Sequence, residues 1–130
     1  MRIHLAARYD RRFEMLGVAA RLFGAGHDVT SRWIEGDRGE PQRAAALQDL
    51  GDLWRAECLV SFTEPPEAGG PRTAAARGGR HVELGVGLAR GIRLYIVGPR
   101  ENLFHHLPGI EVCATVDDLV GRLPLHARGG

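Results

Sequence analysis

The chain contains no lysine: all 17 of its basic residues are arginine. That absence excludes a P-loop lysine, a Schiff-base lysine and a Ser–Lys nucleophile pair. Serine is almost missing as well. Only Ser31 and Ser61 occur, neither within a Gly-x-Ser-x-Gly turn. Cys58 and Cys113 fall in apolar runs without metal-ligand spacing, and read as small buried apolar residues. The six histidines are scattered, and adjacent His105 and His106 cannot both face one metal from a regular helix. No metal site is expected. No apolar run reaches the roughly 18 residues of a membrane span. No basic segment, apolar core and cleavage site open the chain, so a cytoplasmic protein is expected. A formal charge of +1 lacks the basic excess of a binder of polymeric nucleic acid.

What is present is an alternation of strands and helices. Residues 2–7 read as a strand, followed by the polar turn Arg8-Tyr9-Asp10-Arg11-Arg12. Phe13, Leu16, Ala20 and Phe23 recur at helical spacing, which predicts a helix to about Ala25, closed by Gly26. Residues 27–33 alternate as a second strand, and 34–41 are a polar loop. Over residues 43–55, Leu47, Leu50, Leu53 and Trp54 share one face of a helix, with Asp49 and Asp52 on its polar side. Residues 58–62 suit a buried parallel strand. The segment 63–77, rich in proline and glycine, is long for a strand–helix connection and suggests a lid. A helix over 79–90, a strand over 92–97 and a loop over 98–108 follow. A short strand at 111–114 and a helix at 116–123 complete a single domain spanning 1–125, with 126–130 as a frayed tail. Such an order predicts an α/β protein with a five-stranded parallel, doubly wound sheet in the flavodoxin-like order 2-1-3-4-5. Ligands of such sheets bind beyond the carboxyl ends of the strands.

The stretch Arg77-Gly78-Gly79-Arg80-His81-Val82-Glu83-Leu84-Gly85 turns through glycine into a helix and places Glu83 in its first turn. Unpaired N–H groups and the macrodipole favour a carboxylate there as the anion. Two roles fit: an N3 capping glutamate, or a nucleophile or cation-stabiliser. The run Glu83-Leu84-Gly85-Val86-Gly87-Leu88-Ala89-Arg90-Gly91 before an apolar strand resembles a motif of the nucleoside 2-deoxyribosyltransferase family, which includes nucleotide N-glycosidases. Two further stretches match in order. Ile3-His4-Leu5-Ala6-Ala7-Arg8-Tyr9 resembles that family's opening substrate loop. Asp49-Leu50, followed seven residues after Asp49 by Ala56-Glu57 and then Cys58-Leu59-Val60-Ser61-Phe62, resembles its Asp-Leu helix and third strand.

The resemblance implies an enzyme that cleaves an N-glycosidic bond, with Glu83 as nucleophile and Asp49 contacting the sugar hydroxyls and orienting it. No cofactor is implied. His4 stands where the family often has a tyrosine. Arg8 and Tyr9 are further substrate contacts, as is Gly79 in the glycine turn. Five or six positions before the glutamate, relatives carry an acidic or small polar contact to the base or sugar; here Gly78 and Arg77 stand. His81 is a candidate proton donor. Asn102 is a candidate for completing a neighbouring subunit's site, which implies a homo-oligomer. Phe104, His105 and His106 equally suit interface packing. Arg8, Arg11 and Arg12, with Arg77 and Arg80, suggest a phosphorylated substrate, because guanidinium forks bind phosphate bidentately. Ordinary solvated arginines are the alternative. Water or a second base as acceptor remains open, and a nucleotide-sensing module without catalysis is the rival reading.

Overall fold

Alternation along each strand decides which side chains meet which helices. In the computed structural model, which describes residues 1–36, 41–64 and 78–124, β1 (Arg2–Ala6) buries four of its five residues. Ile3 and Leu5 point to one face of the sheet, so His4 and Ala6 point to the other. After β1 come α1 (Arg12–Gly24), β2 (Asp28–Val29), α2 (Gln42–Trp54), β3 (Cys58–Phe62) and α3 (Gly79–Arg90). The chain continues through β4 (Arg93–Val97), β5 (Ile110–Cys113) and α4 (Val116–Arg122). Every pairing is parallel, and the strand order is β2-β1-β3-β4-β5. The expected five-stranded, doubly wound α/β fold is therefore present, with helices on both sides. Among the described residues, no helix is long and apolar enough to cross a membrane.

Two apolar layers hold the sheet. On one face, Ile3, Leu5, Val60, Phe62 and Tyr95 pack with Met15, Val18 and Leu22 of α1 and Leu119 of α4. On the other, Leu59, Leu94, Ile96 and Ile110 pack with Leu53 of α2 and Leu84 of α3. The second layer stops short of the carboxyl ends of β1 and β3. There it gives way to His4 and Ser61, both fully buried.

Three expectations need correction. The second strand is two residues long rather than spanning 27–33. Beyond Thr30, side chains take over β1's exposed edge: Ser31 Oγ accepts from the Leu5 N–H (2.6 Å), and Trp33 Nε1 donates to the Leu5 carbonyl (2.8 Å). Arg32–Glu35 then forms a 3-10 turn. The apolar stripe expected to bury α1 faces solvent instead. Phe13, Leu16 and Phe23 are exposed, whereas Met15, Val18 and Leu22 carry the core contact. On α2, similarly, Leu47, Leu50 and Trp54 are exposed while Asp52, expected on the polar side, is buried beside Leu53.

At the end of β4 the chain turns sharply at Gly98, whose φ is +116°. A Cβ there would collide with Thr63 Oγ1, which belongs to a buried residue. Gly98→Ala is expected to destabilise the fold by about 1–3 kcal/mol, as forced occupation of a glycine region does. A urea-unfolding midpoint lowered without a change in slope would register it.

Candidate functional site

Helix α3 starts at the carboxyl edge of the sheet and runs back across it. Its N-cap is Gly78, held at φ +92° without a side-chain cap, and Gly79 is the first helical residue. Glu83 is thus the fifth residue of α3, beyond the first turn, which overturns its expected place there and the capping role. Its carboxylate is spent elsewhere: Oε2 lies 2.9 Å from His4 Nε2. The imidazole is fully buried and the glutamate side chain 17% exposed, and the pair bridges β1 and α3.

This contact fixes a tautomer. A carboxylate only accepts, so His4 Nε2 carries a hydrogen, and the neutral ring then has a bare Nδ1. That Nδ1 is buried and has no hydrogen-bond partner among the described residues. Ser61 Oγ, on the same face of neighbouring β3, is likewise buried and unpartnered. Unsatisfied buried polar atoms are costly, and two on one face beside a carboxylate mark a place suited to a polar ligand. Ser61 carried no signal as a site residue in the sequence, where it figured only as part of the third-strand run Cys58–Phe62.

Asp49 lies in α2 four residues before buried Leu53, hence on the inward stripe and one turn nearer the carboxyl edge. It is half-buried. Asp52 has a different task. Its Oδ2 accepts from the Arg32 N–H (3.0 Å) and its Oδ1 from Arg32 Nε (2.9 Å), with Arg55 bonding the same oxygen at 2.5 Å. It fastens α2 to the 3-10 turn after β2.

The remaining expected contacts divide. Arg8 pairs with Asp10 at 3.0 Å, and Tyr9 is exposed, its ring 6.4 Å from Trp33. Gly79 is exposed at the start of α3. Arg77, like residues 65–76 of the expected lid, lies outside the described residues. His81 points away from Glu83, as two residues on a helix lie about 200° apart. Its Nε2 is 3.0 Å from an Arg80 guanidinium nitrogen, and its ring lies 5.7 Å from that of His105. Asn102 caps the 3-10 turn Leu103–His106 of its own chain, accepting from the Phe104 N–H at 2.9 Å. His105, considered for interface packing, is fully buried inside its own chain.

Arginine partners bear on the phosphate reading. Arg11 donates to both oxygens of Glu14 (2.9 and 2.7 Å) and reaches Glu64 at 3.4 Å. Those carboxylates, Glu14 foremost, raise its pKa despite burial. Arg80, buried, forms a bidentate pair with Glu101 (2.6 and 2.9 Å). The sequence offers no hint of that pair, whose members stand 21 residues apart. Arg12 lies over the rings of Phe13 (4.2 Å) and Tyr9 (5.8 Å). These cations are therefore already engaged within the chain.

His105 makes the network pH-sensitive. Its Nδ1 accepts from the Glu101 N–H at 3.0 Å, which requires that nitrogen to be unprotonated. Burial first, and the neighbouring His81 second, lower its pKa. The unfolded chain then binds the extra proton, so stability from this group is complete above about pH 6.5 and is lost as pH falls below it. The thermal midpoint of wild type is expected to fall between pH 7 and pH 5 more steeply than that of His105→Asn.

Among the described residues no group of three or more His, Cys, Asp or Glu side chains is placed to hold a metal ion. An open depression of about 570 Å³ lies at the opposite edge of the sheet, lined by Arg2, Trp54, Arg55 and Arg90 among others. Its arginines serve the fold there: Arg90 donates to the Leu53 carbonyl and Arg2 to that of Arg55, satisfying the end of α2. With the geometry described, comparison with known proteins adds no assignment: no family model matches the chain, and no curated protein matches it.

Proposed function

We propose that the protein cleaves the N-glycosidic bond of a nucleoside or deoxynucleoside, or of its 5′-monophosphate, through Glu83. The observation that supports this most is the 2.9 Å pair between the Glu83 carboxylate and the buried His4. It anchors one oxygen of the carboxylate and shares a sheet face with Ser61, whose Oγ, like His4 Nδ1, is buried without a hydrogen-bond partner among the described residues. In this reading Glu83 Oε1 attacks the anomeric carbon as its bond to the base nitrogen breaks. The bonding pair leaves with the base, which takes up a proton, and a glycosyl ester remains on Glu83. Water or a second base then attacks the same carbon and releases the carboxylate. His4 positions the nucleophile, in the place the family gives to tyrosine, and Asp49 meets the sugar hydroxyls. This displacement draws on no metal or organic cofactor. The reading goes with a cytoplasmic enzyme acting as a homo-oligomer through the Asn102 loop, where Leu103 and Phe104 stand exposed.

Gly78 and Arg77 at the positions of the family's base-contact residue, and His4 in place of its tyrosine, favour a second reading, a nucleotide-binding module without catalysis. One experiment separates them. The protein is incubated with deoxynucleosides and with their monophosphates, and free base is measured by chromatography, with and without an added acceptor base. Release of base supports the enzyme, and a new nucleoside formed from the acceptor identifies a transferase. Saturable binding without release would establish the module instead.

A further inference from the structure

At the amino edge of the sheet, the carboxyl ends of α2 and α3 meet the start of β1 around the open depression of about 570 Å³. Among the described residues its lining is basic: Arg2, Arg55, Arg90 and Arg93 stand against one carboxylate, Glu57. Arg11 and Arg80, by contrast, are each clasped by a carboxylate through two nitrogens. Here the hydrogen bonds engage the arginines without cancelling their charge. Arg90 donates to the Leu53 carbonyl and Arg2 Nε to that of Arg55, and a carbonyl is neutral. Glu57 offsets Arg2 at 3.3 Å, and Asp52 offsets one of the two charges, Arg32 and Arg55, that share it. One charge from the Asp52 group, one from Arg90 and one from Arg93 remain. The carboxyl ends of α2 and α3 return about half a unit of negative charge each, which leaves roughly +2. A chain of formal charge +1 thus gathers about twice that at one edge.

An aromatic ring stands among these cations. Trp54, the last residue of α2, is 63% exposed although the Arg90 guanidinium lies 4.3 Å over its ring. One face of the indole is thereby covered, and the rest is open to a second flat group. An indole beside several guanidinium forks matches a ligand that is planar at one end and multiply anionic at the other. We infer that this depression binds a nucleoside di- or triphosphate, its base stacked on Trp54 and its phosphates against Arg2, Arg90 and Arg93. The volume lies within the roughly 300–1,000 Å³ of small-molecule sites. Because the depression is open, charge and stacking carry the binding rather than enclosure. It lies at the opposite end of the strands from the crevice beside Glu83. A strand of five residues such as β3 spans about 16 Å, so the two places take separate molecules. The inference therefore stands independently of the proposed cleavage.

Calorimetric titration of the purified protein with ADP tests it, with pyrophosphate as a probe that lacks the ring and with Trp54→Leu and Arg93→Glu alongside. Both substituted positions are exposed, so the variants are expected to keep the wild-type circular dichroism and thermal midpoint. For ADP a dissociation constant on the order of 100 µM is expected at about 50 mM salt, weakening severalfold at about 300 mM as the charges are screened. Pyrophosphate should bind about tenfold more weakly, the scale on which one stacked base acts. Trp54→Leu should lower the affinity for ADP to that for pyrophosphate, and Arg93→Glu should weaken both probes by about tenfold. No binding of ADP up to about 5 mM would overturn the inference. An affinity for ADP unchanged in either variant would do so too, by placing the nucleotide elsewhere on the chain. Equal affinities of wild type for ADP and pyrophosphate would leave a site for bare anions and likewise refute it.

Discussion

Replacing Glu83 with glutamine is expected to lower base release by about a thousandfold or more, the scale on which loss of a nucleophile acts. The amide oxygen can still accept from His4 Nε2, so the bridge between β1 and α3 persists while the attacking charge is gone. Substrate affinity measured by calorimetry should therefore change little, and the thermal midpoint by only a degree or two. Glu83→Asp keeps the charge but withdraws it by one methylene, and misplacement of about 1 Å costs on the order of a hundredfold. His4→Phe removes the hold on Oε2 while keeping an aromatic ring, slightly larger than the imidazole, at a buried position, and a smaller loss, about tenfold to a hundredfold, is expected in kcat. That graded order, glutamine worst and phenylalanine mildest, is what a positioned nucleophile produces. Base release within tenfold of wild type in Glu83→Gln would remove Glu83 from the chemistry and leave the His4 contact as a structural tie.

How much of this was visible beforehand differs by kind of information. The order and type of elements followed from periodicity, and the sheet order from the handedness of crossovers, because both depend on local pattern and chain topology. Faces were harder. Helix α1 is apolar on two sides, Met15–Val18–Leu22 and Phe13–Leu16–Phe23, and periodicity cannot say which side meets the sheet. In α2 the single Leu53 wins burial over Leu47, Leu50 and Trp54, because Asp52 beside it finds Arg32 and Arg55 and so can enter the interior. The shortened β2 depended on Ser31 and Trp33 bonding to β1, contacts no local propensity encodes. Within the site, Glu83 stood out through its motif, yet its partner His4 lies 79 residues away and looked like a departure from pattern. Long-range polar pairs, Arg80 with Glu101 above all, are set by the assembled fold and have no signature along the chain.

The largest expected loss of stability falls on Asp52, a residue with no part in the proposed chemistry. Its carboxylate is fully buried and collects the Arg32 backbone N–H, the Arg32 guanidinium and Arg55. Removing one partner of a fully buried pair costs about 3–5 kcal/mol, chiefly from the charge left behind. Here the arginine heads are about half exposed and can rehydrate, which lowers the expected cost of Asp52→Ala to about 2–3 kcal/mol. For a domain of this size that corresponds to a fall in Tm of roughly 10 °C. Glu111→Gln, at the exposed 3.9 Å pair with Arg122, should shift stability by less than about 0.5 kcal/mol. Acid dependence supplies an independent check. Burial alone would raise the Asp52 pKa, but the Arg32 and Arg55 bonds reverse this and hold it below the ordinary aspartate value. The unfolded chain therefore binds the proton more readily, so Asp52 contributes fully above about pH 4 and its contribution is lost as pH falls through the depressed value. Asp52→Asn should accordingly flatten the acid limb of the stability curve while lowering its plateau, because the new amide group turns a donor towards the guanidinium forks. An acid limb unchanged in Asp52→Asn, or a plateau within 0.5 kcal/mol of wild type, would mean that Leu53 and its apolar neighbours alone secure α2 to the sheet.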